Sequence, residues 1–118
     1  MTRQEFLSSL RSQIIDLKIV KKVEKKYGFE IPEIVQKIIS ASIESIFFDD
    51  GWRTLSVSEV LDASEDLHVH FEERMLLPVI DTGENDFIVY HAEDDTWSKF
   101  NIIEECHFKT KKTFYEYF

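Results

Sequence analysis

The chain has 118 residues and carries 23 Asp and Glu against 14 Lys and Arg, a net charge of −9 with histidine neutral. Hydrophobic residues at 43% and aromatics at 14% are too many for a disordered acidic tail, and they suffice for one core without disulfides or metals. The length fits one domain, and the acidity argues against binding to a phosphate backbone, which clustered Lys and Arg drive.

The first third reads helical. Thr2 and Glu5 fit a capping box, in which each side chain takes an open amide of the first turn. Phe6, Leu7, Leu10, Ile14 and Leu17 then recur at steps of three and four. Asp16 can cap a second stretch through Ile19, Val20, Val23 and Tyr27, with Gly28 placed for a left-handed C-terminus. The pattern fits one bent helix or two. Pro32 opens a helix over 32–41 with Ile34, Val35, Ile38 and Ile39 on one face. Ile46–Phe48, Asp50-Gly51 and Trp52–Leu55 read as a hairpin. Ser56 and Glu59 form a second capping box, opening a short helix over Val57, Val60 and Leu61.

Residues 62–70 are polar and carry no clear period. Leu76–Ile80, Phe87–Tyr90 and Trp97–Ile102 are then predicted strands, joined by polar turns at 82–85 and 93–95, which makes an antiparallel meander over 76–102. Phe114, Tyr117 and Phe118 share a face if the C-terminus is a helix. The expected class is α+β: a single domain over 1–118, with N-terminal helices packed on a mostly antiparallel sheet and a C-terminal helix closing it. One cysteine, Cys106, cannot form an internal disulfide, and no apolar run has the length of a leader or a membrane span, so the expected compartment is the cytoplasm.

The charge is uneven. Residues 1–30 carry seven basic and four acidic side chains, while residues 44–105 carry three basic and seventeen acidic ones, a net of −14. Such a field speeds encounter with basic surfaces. Within it, Trp52 follows Asp49-Asp50-Gly51 and Trp97 follows Asp94-Asp95-Thr96, and aromatics flanked by acids suit the anchoring of a basic protein. Asp49, Asp50, Trp52, Asp94, Asp95 and Trp97 are therefore the candidate partner-binding residues, against the alternative that both tryptophans are core. His68 and His70 would share a face in a strand, with Glu72 extending the row, but no third histidine completes a metal set there. His91 with Asp94 and Asp95 lacks calcium-loop spacing. Cys106 and His107 would point to opposite faces of a strand, so Cys106 is expected to be a buried, inert thiol. There is no Gly-rich phosphate loop and no nucleophile elbow, so no catalytic residue, cofactor or metal is expected.

The order of motifs resembles the SUKH superfamily, the Smi/Knr-like domains. Its members place an acidic-x-x-x-Gly turn before a Pro-started helix, as in Glu24-Lys25-Lys26-Tyr27-Gly28 and Pro32 here. A Leu-Ser-x-x-Glu element follows, matched by Leu55-Ser56-Val57-Ser58-Glu59. An apolar strand then enters an Asp-rich glycine turn and a second strand, matched by Leu77–Tyr90, and an aromatic-rich end is matched by Thr113–Phe118. The glycine loop that many members carry after the Pro-started helix is absent from Ser40–Glu44. The resemblance implies a non-enzymatic protein-binding domain. Bacterial members are regarded as immunity proteins that neutralise toxins, often nucleases, whereas eukaryotic relatives are linked to regulation of cell-wall synthesis. The expected partner is a basic toxin, with no direct nucleic-acid or membrane contact.

Overall fold

The first two helices begin where a side chain can take their open amides. In the computed structural model, which describes residues 1–118, α1 (Arg3–Leu10) starts behind Thr2, whose Oγ accepts from the Glu5 amide at 3.0 Å while Glu5 accepts from the Thr2 amide at 2.9 Å. A second helix, α2 (Leu17–Tyr27), starts behind Asp16, which accepts from the Lys18 and Ile19 amides. Residues 2–27 are thus two helices. The second ends at Gly28, whose φ of +82° lies where a side chain would be strained. Pro32 caps α3 (Glu33–Ala41) from outside, with its fixed φ at −71°.

The Ser56–Glu59 box opens α4 (Val57–Leu67), which runs through most of the stretch that showed no period and stops at His68, at φ +56°. His68 is therefore a helix terminus, and neither it nor His70 lies in a strand. The expected one-face histidine row does not form.

The sheet has five antiparallel strands in sequential order: β1 (Arg53–Thr54), β2 (Leu76–Asp81), β3 (Asp86–His91), β4 (Thr96–Asn101) and β5 (Cys106–Lys111). The expected hairpin around Asp50-Gly51 is reduced to a Phe47–Arg53 bridge and the two residues of β1. Pro78 has no amide hydrogen, and the β2–β3 register shifts just after it, between Pro78 and Ile80. β5 extends the meander by a strand. The C-terminal helix is a single 3-10 turn, Phe114–Tyr117, which still buries Phe114 and Tyr117.

Leu76–Ile80 and Phe87–Tyr90 are buried without interruption, so β2 and β3 are covered on both faces. Cross-strand partners share a face. Leu77, Tyr90 and Trp97 align on one, where Phe114 packs on Trp97 at 5.1 Å between ring centroids. Phe87 and Phe100 align on the other, where Phe71 packs on Phe100 at 5.9 Å and α4 lies alongside. The two layers join in one cluster of 27 buried apolar residues.

One ion network ties these parts together. Arg53 makes a two-pronged contact with Glu59, 2.8 Å on each prong, and reaches Asp81 at 3.2 Å. Ser45 donates to Glu59, and Glu59 also accepts from the Ser56 amide. The Arg53 hydrogen bond, with the Ser56 amide and Ser45 hydroxyl adding to it, outweighs partial burial and holds the Glu59 carboxyl at about 2, below its ordinary 4.5. The unfolded chain therefore takes up this proton first. The stabilisation is complete above 4.5 and is lost as pH falls toward 2. The network is partly open to water, which screens it. Arg53→Ala should cost about 1–3 kcal/mol in urea unfolding, because Glu59 and Asp81 lose their shared cation. Glu59→Gln should flatten the acid limb of stability against pH.

Candidate partner-binding surface

The two acid–tryptophan elements meet different fates. In the first, Asp50 Oδ1 accepts from the Trp52 amide at 3.1 Å and Gly51 turns the chain at φ +92°. Both carboxylates are then met from within the chain. The terminal ammonium of Met1 lies 3.0 Å from Asp49, and Arg3 Nε lies 2.7 Å from Asp50. The Arg3 guanidinium also sits 4.1 Å from the centre of the half-buried Trp52 ring and donates to the Tyr117 carbonyl at 2.6 Å. Lys99 Nζ approaches the same ring at 4.9 Å. Asp49, Asp50 and Trp52 therefore act first as an internal clasp on the N-terminus.

The second element is the β3–β4 turn. Asp95, at φ +56°, closes it by donating its amide to the His91 carbonyl at 2.9 Å. The Tyr90 hydroxyl donates to Asp95, and the Thr96 hydroxyl to Asp94. Burial first, and then the Asp95 carboxylate, push the Tyr90 hydroxyl pKa up. Glu93, Asp94 and Asp95 are exposed and have no cation within 4.0 Å. Trp97, by contrast, is only 2% exposed and packs between Tyr90 and Phe114. It belongs to the core and offers no surface to a partner, because its strand is covered on that face.

A chain of ring contacts joins the two elements. Trp52 meets Phe118 at 6.2 Å, Phe118 meets Phe114 at 4.6 Å, and Phe114 meets Trp97 at 5.1 Å. No local pattern predicts this link, which joins residues far apart in the chain. Further exposed carboxylates without cation partners lie on α4, at Asp62, Glu65 and Asp66. Their spacing of three and four was present in the sequence, but the helix carrying them had no periodic signal there.

The structure brings together a group that sequence neighbours did not suggest. Ser98 Oγ lies 2.6 Å from His91 Nε2 and 3.2 Å from His107 Nδ1, and the two rings are 4.5 Å apart. Neither ring hydrogen-bonds a carboxylate, and Ser98 is 0% exposed, so the hydroxyl has neither an oriented base nor access to substrate. Cys106 is exposed rather than buried, because β5 is the sheet edge, and it points its thiol toward Glu104 at 3.8 Å. No group of three or more His, Cys, Asp or Glu side chains converges as a metal site.

Comparison with protein-family models, with curated proteins and with solved structures returned no match to this chain.

Loss of water holds both histidines below their ordinary 6.5, with His91 and Arg74 adding to the effect on His107 and Asp94 opposing it on both. The unfolded chain therefore binds these protons first. Stability from this pair is complete above 6.5 and is lost as pH falls through the lowered values. The melting temperature should decline on the acid side of 6.5. The double change His91→Gln with His107→Gln should flatten that part of the curve, and a curve that stays as steep would place the titration elsewhere.

Proposed function

We propose that this chain is a SUKH-type immunity domain that neutralises a basic toxin, a nuclease in the simplest case, by surface binding and without chemistry of its own. The observation that carries the reading is the set of exposed carboxylates with no internal cation, concentrated at the β3–β4 turn and on α4. Asp94 and Asp95 are bonded by Thr96 and Tyr90 within the turn, but no cation of the chain offsets the charge of these groups. A basic cleft built for phosphates would meet in them a field like that of its substrate.

The motif order from Glu24 to Phe118 adds the family, and the burial of Ser98, whose two histidine neighbours bond no carboxylate, argues against hydrolysis. The exposed turn residues Glu93, Asp94 and Asp95 are the contact residues in this reading, with Asp49, Asp50 and Trp52 at a second place where the internal clasp would have to be shared. The cytoplasm is the compartment proposed. No helix is long and apolar enough to cross a membrane.

The decisive measurement is association with the protein encoded beside this gene, which this reading requires to be basic. The on-rate should fall steeply with salt. Glu93→Lys, Asp94→Lys and Glu65→Lys combined should slow it about tenfold or more while changing dissociation little. Association indifferent to both salt and these changes would overturn the electrostatic reading. Failure to retain any basic partner would overturn the immunity reading itself.

A further inference from the structure

The N-terminal third carries a surface of the opposite sign. Lys18, Lys21, Lys22, Lys25 and Lys26 of α2 are all exposed, and none lies within 4.0 Å of a carboxylate. At about 100° per residue they fall within an arc of roughly 140°, directed away from the core. The buried stripe Val20, Val23 and Tyr27 lies opposite. Glu24, the helix's own acid, is turned aside to accept the Ile31 amide at 2.9 Å. The approach to the helix adds exposed Arg11 and two bare aliphatic side chains, Ile14 at 83% and Leu17 at 62% exposure.

We propose that the surface from Arg11 to Lys26 docks this protein on an anionic lipid bilayer, with the lysines on the headgroups and Ile14 and Leu17 in the interfacial zone. This goes beyond the binding function proposed above and leaves the carboxylates of the β3–β4 turn free. The apolar stripe of α2 is committed to the core, so the contact is peripheral and the helix does not embed along its length. It also departs from the sequence-based expectation of no membrane contact.

The net charge of −9 does not forbid it. Screening acts over about 10 Å at 0.1 M salt. The molecule extends 33 × 31 × 25 Å, so carboxylates on the far side are screened where the lysines touch. Two carboxylates lie nearer: the exposed Asp16 is committed to capping α2 through the Lys18 and Ile19 amides, and Asp62 shares a shallow groove with Lys22, Lys25 and Lys26. Lys18 and Lys21, beside Leu17, lie outside that groove. The aliphatic character of Ile14 and Leu17 favours lipid over a nucleic acid, which would call for stacking aromatics or a groove.

The test is co-sedimentation of the full chain with vesicles. Vesicles rich in phosphatidylglycerol should retain it at low salt, and vesicles of pure phosphatidylcholine should not. Lys18→Gln and Lys21→Gln should each lower the partition coefficient about fivefold. Ile14→Ser with Leu17→Ser should lower it without altering its salt dependence, and free glycerol phosphate should not compete. These positions are exposed, so an unchanged melting temperature would confirm that each variant is folded. The proposal falls if anionic vesicles retain nothing, if neutral vesicles retain as much, or if the lysine changes have no effect. It falls equally if the same lysines instead mediate binding to duplex DNA or self-association in the ultracentrifuge.

Discussion

The fold hinges on a single guanidinium. Arg53 lies in a strand of two residues, too short to hold its own place, yet three parts of the chain meet there. Glu59 belongs to the first turn of α4 and caps it, Asp81 ends β2, and Ser45 fixes the chain leaving α3. The planar fork can serve Glu59 with both prongs and still reach Asp81, which an ammonium could not do with the same geometry. Because α4 covers one face of the sheet and β2 lies next to its centre, this contact sets how helix and sheet sit together. The apolar core supplies most of the stability. The ion network selects the arrangement in which that core closes.

What could be read from the sequence was chemistry between near neighbours. Thr2 with Glu5, Asp16, Gly28, Pro32 and Ser56 with Glu59 all act within a few residues of their targets, and every one appears where expected. The turns at 82–85 and 93–95 were legible for the same reason. β5 was not. All but one of its residues are exposed, so it has no alternation, and its turn closes on Glu105 at φ +53° rather than on glycine or asparagine. The C-terminus misled in kind but not in face. Residues three apart align in a 3-10 turn as they nearly do in an α-helix, so Phe114 and Tyr117 were matched to the core by the wrong element.

The candidate site shows the limit more sharply. Trp52 and Trp97 have nearly the same local context, two acids followed by one residue, yet one is half-buried and the other is core. The difference is set at long range. Trp97 is placed by Tyr90 across the sheet and by Phe114, whereas Trp52 is covered by Arg3 from the N-terminus. Tyr90 lies in the hairpin that the sequence predicts, but Phe114 and Arg3 are 17 and 49 residues from the tryptophans they cover, beyond the reach of a local pattern. The histidine pair around Ser98 is similar, because His91 and His107 come together only through the pairing of β3, β4 and β5.

The outer edge of β5 bears on how such a protein can be recognised at all. An unpaired strand edge ordinarily invites another chain to add itself by backbone hydrogen bonds. Here that edge carries Lys109 and Lys111, and Lys109 leaves the extended region at φ +52°, with its carbonyl taken by the Tyr117 hydroxyl. The opposite edge, β1, is only two residues long. Both borders are thus poor templates for an incoming strand. Any contact with another protein therefore falls to side chains rather than to backbone pairing, so surface substitutions alone can rewrite it while the fold stays as it is.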